Sequence, residues 1–194
     1  MILLIFNLGI CDLPSRDKDG KLTPHYSRWV NMLRRCYDPK YQTRRNSYAY
    51  TTVCQEWLTF SKFKEWMDLQ DWEGKDLDKD LLGDGTIYSP STCVFVTPLV
   101  NQFTKRSSAS RGDQPLGVHL KRNGRYGSCI RKYGKLEHLG YFENEEAAHV
   151  AWQRAKIAYG KELCHLQTDE RSILALTRYI ARIEEDLLLK RRTI

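Results

Sequence analysis

Two glycine-bearing dipeptides, Asn123-Gly124 and Tyr133-Gly134, cut the stretch "LGVHLKRNGRYGSCIRKYGKLEHLGYF" into three short extended runs. Asn-Gly between such runs supplies the backbone conformation that a tight hairpin turn requires. Three strands joined so closely pair as antiparallel neighbours. The next segment opens with Asn144, a good helix N-cap, and places Glu145 and Glu146 in the electropositive first turn. Ala147, Ala148, Ala151, Trp152 and Ala155 let that helix lie close on a sheet. The pattern predicts an α+β chain containing a three-stranded antiparallel sheet backed by a helix.

Alternation assigns the two faces of that sheet. Val118, Leu120, Tyr126 and Ile130 are expected to face the helix. His119, Lys121, Arg125 and Arg131 then point outward, with Lys135 and His138 on the third strand and Arg122 in the first turn. Charge agrees with this division. Net charge is +7; Lys+Arg and Asp+Glu balance at 13 each over residues 1–104 and at 9 each over 143–194, while residues 105–142 hold 9 against 2. A basic excess confined to one segment is the footprint of phosphate contact, and nucleic acid is the expected partner. The blander reading is a solubilising surface, which normally mixes both signs.

Upstream, Pro24 suits a first helical turn, and Trp29, Met32, Leu33 and Cys36 recur at helical spacing, predicting a helix over 24–37. "DPKYQTRRNS" reads as loop and "YAYTTV" as a short strand. "CQEWLTFSKFKEWMDLQ" reads as one helix whose aromatics belong to a core. "KDLDKDLL" to "TCVFV" reads as two strands around a turn containing "GDG", and Pro98 opens a short helix. "TKRSSASRGDQP" is the clearest linker, and a last amphipathic helix is expected from about Thr168 to Arg191. The opening "MILLIFNLGIC" has no basic leader or small-residue cleavage site, so a first strand or irregular start is expected rather than a signal peptide. No run approaches the roughly 20 apolar residues of a membrane helix. None of the six cysteines forms a CxxC pair, which points to buried thiols and a cytoplasmic location; a site built from Cys36, Cys54 and Cys93 is the alternative.

"VTPLVN", Val96 to Asn101, resembles the ending of HNH homing endonucleases, and Asp78 stands where that family's Asp-His pair begins. "RWVNMLRRCY", "VCQEWLTFSKFKEW" and "LDKD…YSPSTCVFV" are similar, in the same order, to a phage-borne branch of those enzymes. The resemblance implies a compact ββα-metal nuclease, with a divalent metal (Mg or Mn) held by Asp78 and Asn101. Lys79 falls at the general-base histidine, and Thr92 at the asparagine that supports it. Lys79 could act as a base of lowered pKa or as a stabiliser of phosphate charge. Asp80 could be a ligand or the base. On a strand, Asp78 and Asp80 share one face and Lys79 points away, which gives this pair a claim independent of the family. Solvated hairpin charges are the bland alternative.

The segment from Pro115 to about Leu163 resembles the APETALA and ethylene-response-factor DNA-binding domain, through "GVHLKRNGRY", "SCIRK" and "LGYFENEEAAHVAWQRA…YGKEL". In that family the sheet enters the major groove; His138 replaces its third-strand aromatic. The resulting division is a nuclease-like domain (1–104), a linker (105–114), an APETALA-like domain (115–165) and a C-terminal helix (166–194). The expected function is a metal-dependent DNA endonuclease of the HNH homing type, acting on double-stranded DNA without a membrane. Its rivals are a non-cleaving DNA-binding protein and an interaction protein for a host factor or RNA.

Overall fold

The computed structural model describes residues 3–105 and 113–193. Most of the expected linker lies outside the described residues. The chain divides into two compact units, Met1–Phe95 and Val96–Ile194.

The first unit opens with a hairpin of β1 (Leu3–Ile5) and β2 (Gly9–Cys11), turned by Phe6 and Asn7 at φ 52° and 62°. α1 (Pro24–Tyr37) is capped by Thr23, which accepts from the Tyr26 amide at 3.2 Å, and buries Trp29, Met32, Leu33 and Cys36 as expected. The segment expected to be loop instead starts a second helix, α2 (Pro39–Arg44). Asp38 ends α1 and caps α2 by accepting from the Lys40 amide at 2.9 Å. β3 is only Thr52–Val53, shorter than the strand expected over 48–53.

The helix expected over 54–70 is broken. A 3₁₀ turn (Gln55–Leu58) and α3 (Phe60–Asp68) meet at Thr59, whose backbone is extended. The missing helical bond has been replaced by tertiary ones. The Trp57 carbonyl accepts from the Trp29 indole at 2.7 Å, and the Ser61 amide donates to Asp12 at 2.9 Å. β4 (Asp76–Asp78), β5 (Ile87–Tyr88) and β6 (Val94–Val96) follow; β4 neighbours β6, while β5 pairs in parallel with β3. Trp29, Trp57, Phe60, Phe63, Met67, Tyr88 and Phe95 make the core. Each such burial contributes about 1.5–3 kcal/mol.

The second unit begins with α4 (Pro98–Thr104), where Thr97 caps by accepting from the Val100 amide at 3.2 Å. β7 (Val118–Leu120), β8 (Tyr126–Lys132) and β9 (Lys135–Phe142) form an antiparallel sheet in the order β7-β8-β9. α5 (Glu145–His165) starts at Asn144, which accepts from the Ala147 amide at 2.8 Å. α6 (Glu170–Leu188) is shorter than expected because Asp169 provides its cap, accepting from the Ser172 amide at 2.7 Å. The fold is therefore α+β, with six α-helices and several small sheets among the described residues. Gly117, at φ 77°, lies so close to Trp152 that any Cβ there would collide with the indole.

The sequence grouped α4 with the residues before it; the fold places it in the second unit. The Phe103 ring meets Tyr159 edge-on at 5.4 Å and Tyr179 at 5.5 Å. The buried Lys156 ammonium lies 3.9 Å from the centre of the Phe103 ring and donates to the Phe103 carbonyl. Burial lowers the Lys156 pKa to about 8. A polar stretch marks where composition changes, not where packing ends.

The C-terminal tail is tied to α5. Gln153 donates to the Arg191 carbonyl and the Thr193 hydroxyl, both at 3.0 Å, and the Thr193 amide donates to His149 Nε2 at 3.0 Å. His149 Nδ1 in turn donates to the Leu116 carbonyl at 3.0 Å, so its ring is neutral. All six cysteines are free: Cys36 and Cys93 are buried and the other four half-buried. Among the described residues no helix is long and apolar enough to cross a membrane.

Candidate nucleic-acid interface and hairpin site

β4 ends at Asp78 because its own side chain caps the turn. Asp78 Oδ1 accepts from the Asp80 amide at 2.8 Å and the Leu81 amide at 2.9 Å. The alternation expected for 78–80 therefore stops one residue too early to apply. Lys79 leaves the strand, bends inward and is 5% exposed. Its ammonium donates to Asp80 Oδ1 at 2.6 Å and lies 5.4 Å from the Tyr48 ring and 5.6 Å from the Tyr88 ring. So Lys79 and Asp80, expected on opposite faces, are held together. Arg35 joins the same cluster, donating to the Tyr88 hydroxyl at 3.3 Å with its guanidinium 5.8 Å from the Tyr48 ring. Burial pushes the neighbouring Cys36 thiol up to about 12. Gly85 closes the loop against Asp80, where a Cβ would strike the carboxylate.

The Asp80 carboxylate and the faces of the Tyr48 and Tyr88 rings surround the Lys79 nitrogen. Lys79 is a donor here. Thr92 does not support it: the Thr92 hydroxyl donates to the Ile87 carbonyl at 2.8 Å and accepts from the Ser89 amide at 3.1 Å, which closes the turn before β6.

Asp78 differs from Asp80. Burial raises its pKa, and the Asp80 charge raises it further. A carboxylate withdrawn from water next to a second one gains from a cation, so Asp78 suits a metal ligand. Asp80 is exposed, with one oxygen accepting from the Lys79 ammonium. Asn101 lies in α4, in the second unit. Among the described residues no three histidine, cysteine, aspartate or glutamate side chains gather as a metal-binding group.

The second site is the sheet face opposite α5. Ser128 and Ile130, fully and nearly buried, mark the helix side of β8. Register then places His119, Gly127, Cys129, Arg131, Leu136, His138 and Tyr141 on the outer side. None is acidic. His119 and His138 face each other with ring centres 6.4 Å apart, and the His138 ring is 4.4 Å from that of Tyr141. Burial lowers the pKa of His119, and Lys121 lowers it further. Arg131 donates to the Gly134 carbonyl at 2.7 Å across the second turn. Lys121, Arg122, Asn123, Arg125 and Tyr141 line a groove at the first turn.

Two expectations for this face change. Lys135 stands opposite Lys132, whose ammonium lies 3.6 Å from Glu162 of α5 and 5.3 Å from the Tyr159 ring. Lys135 thus belongs to the helix side by register. Leu120 shares the side of Val118, as expected, but stays 55% exposed. Tyr141 and Leu136 were missed. A bulge opposite Ser128 and Cys129 adds one residue to β9 and reverses its alternation. Gly140, at φ 133°, was the available signal, since an isolated glycine within a strand marks a bulge.

Comparison with protein-family models, curated proteins and solved structures finds no match for this chain.

Proposed function

We propose that this chain is a DNA endonuclease of the HNH homing type whose three-stranded sheet supplies its hold on double-stranded DNA. The observation that carries the proposal is the outer sheet face. Arg131, His119 and His138 share it with no acidic neighbour, and Lys121, Arg122 and Arg125 extend it at the first turn. Arginine forks can grip phosphate or read guanine, and exposed lysines neutralise phosphate.

For cleavage, Asp78 would hold the divalent ion (Mg or Mn), with Asn101 the partner that the resemblance implies. Such an ion stabilises charge on a phosphodiester under attack. Asp78 reaches that task already oriented by two backbone amides. Lys79 holds Asp80 and keeps positive charge beside the site.

The same Lys79 contacts favour a second reading, a DNA-binding protein that does not cut. The Lys79 nitrogen is engaged with Asp80 between the Tyr48 and Tyr88 rings, and no imidazole stands in its place.

Plasmid cleavage with Mg²⁺, Mn²⁺ or EDTA, run beside a gel-shift titration, separates the two. Metal-dependent cutting that disappears in Asp78→Ala and Asn101→Ala supports the endonuclease. Binding without cutting, persisting in Lys79→His with Thr92→Asn, supports the second reading. Absence of both activities would overturn both.

A further inference from the structure

We infer that Tyr141 is a positioning residue that fixes Lys121 and Arg125 as one two-cation phosphate clamp at the edge of the sheet; this rests on the DNA-binding reading above. The Lys121 ammonium lies 5.5 Å from the centre of the Tyr141 ring, and the Arg125 guanidinium 5.9 Å from it. Arg125 Nη2 also donates to the Tyr141 carbonyl at 3.3 Å, which leaves most of its fork free. One aromatic therefore gathers two cations from the two ends of a turn.

The turn is built to hold them there. The Lys121 amide donates to the Arg125 carbonyl at 2.9 Å, and the Gly124 amide donates to the Lys121 carbonyl at 3.0 Å. Asn123 Oδ1 accepts from the Arg125 amide at 3.2 Å, while Gly124 takes the φ of 79° that the turn demands. Tyr141 is itself 49% exposed, so its ring is not serving the core. Two like charges on flexible stems would ordinarily spread apart. Ring attraction offsets part of that repulsion and reduces the rotamer freedom lost when a phosphate is gripped. The groove beside Tyr141 is lined by Lys121, Arg122, Asn123 and Arg125, all suited to an anionic backbone.

The salt dependence of binding reads this directly, because each neutralised phosphate contributes about −0.9 to the slope of log K against log salt. Gel-shift or anisotropy titrations of the full chain with a double-stranded oligonucleotide, over a range of salt, give that slope. Tyr141→Leu removes no charge, yet its slope should be shallower by about 1.8, the equivalent of two contacts at about 0.9 each. Tyr141→Phe should keep the wild-type slope, since the ring remains. In a Lys121→Ala/Arg125→Ala background, adding Tyr141→Leu should change nothing further. A Tyr141→Leu slope equal to wild type, with wild-type binding intact, overturns the clamp and leaves the DNA reading standing. A slope lost in Tyr141→Phe, or a further loss in the doubly substituted background, also overturns it. Wild-type protein that binds no DNA at low salt overturns the clamp together with the reading beneath it.

Discussion

Lys79 and Lys121 make the same local contact and are set up for opposite ends. Each ammonium lies about 5.5 Å from a tyrosine ring: Lys79 at 5.4 and 5.6 Å from Tyr48 and Tyr88, and Lys121 at 5.5 Å from Tyr141. Lys79 is almost wholly buried and paired with Asp80 at 2.6 Å. Lys121 sits in an open groove beside Arg122 and Arg125. The aromatic contact does not decide what a cation does. Its counter-charge decides: an ammonium already satisfied by a carboxylate serves the fold, and one left without a carboxylate can serve a ligand.

The largest effect should come from the open side of this contrast. Arg125→Ala with Arg131→Ala is expected to weaken binding to double-stranded DNA on the order of 100-fold, with little change in melting temperature. Unchanged affinity would move the DNA contact elsewhere and break the comparison.

A smaller effect, of a different kind, is expected on the closed side. Lys79→Met should lower the stability of the first unit by about 1–3 kcal/mol in denaturant titrations, because it strips the tyrosine pocket of its cation. The exposed Asp80 partner keeps this below the cost of a fully buried pair. DNA affinity should be unaffected. A Lys79→Met protein that binds DNA as weakly as the double arginine variant would erase the distinction between the two lysines.

The smallest effect sharpens the picture of the second unit. Burial, the leading cause, holds the His149 pKa below its ordinary value, against the opposing pull of its Leu116 hydrogen bond and of Asp186. As pH falls, the unfolded chain takes up this proton first, near pH 6.5. The stabilising contribution is therefore complete above that pH and lost as pH falls through the folded-state pKa. Melting curves from pH 7.5 down to 5 should show the second unit weakening, and His149→Gln should flatten the trend. Equal slopes in both proteins would remove His149 as the cause.

Sequence reading worked where one local signal controlled one local outcome. Pro24, Pro98 and Asn144 opened helices where expected, and the two glycine turns delimited three strands. It failed where distant groups intervened. The interruption at Thr59 depends on Trp29 and Asp12, which capture the carbonyl and amide that would have continued the helix. Lys79 was expected to point away from Asp80 on a strand, but the Asp78 side chain ends that strand first. On the sheet, His138 was legible as an outer residue, and strict alternation back from it gives Leu136 rather than Lys135. Only beyond the bulge is the pattern displaced by one, which brings Tyr141 to the outer face.

The attachment of α4 bears on how this protein could be taken apart and reused. A designer wishing to graft the three-stranded sheet onto another host would be tempted to cut in the polar stretch after Thr104. That cut would discard the Phe103 ring from its place against Tyr159 and Tyr179. It would also leave the Lys156 ammonium buried without the carbonyl and ring that now satisfy it. An orphaned interior cation is among the more damaging changes a core can suffer. The transferable piece therefore starts near Val96, and a graft must bring Asn101 with it.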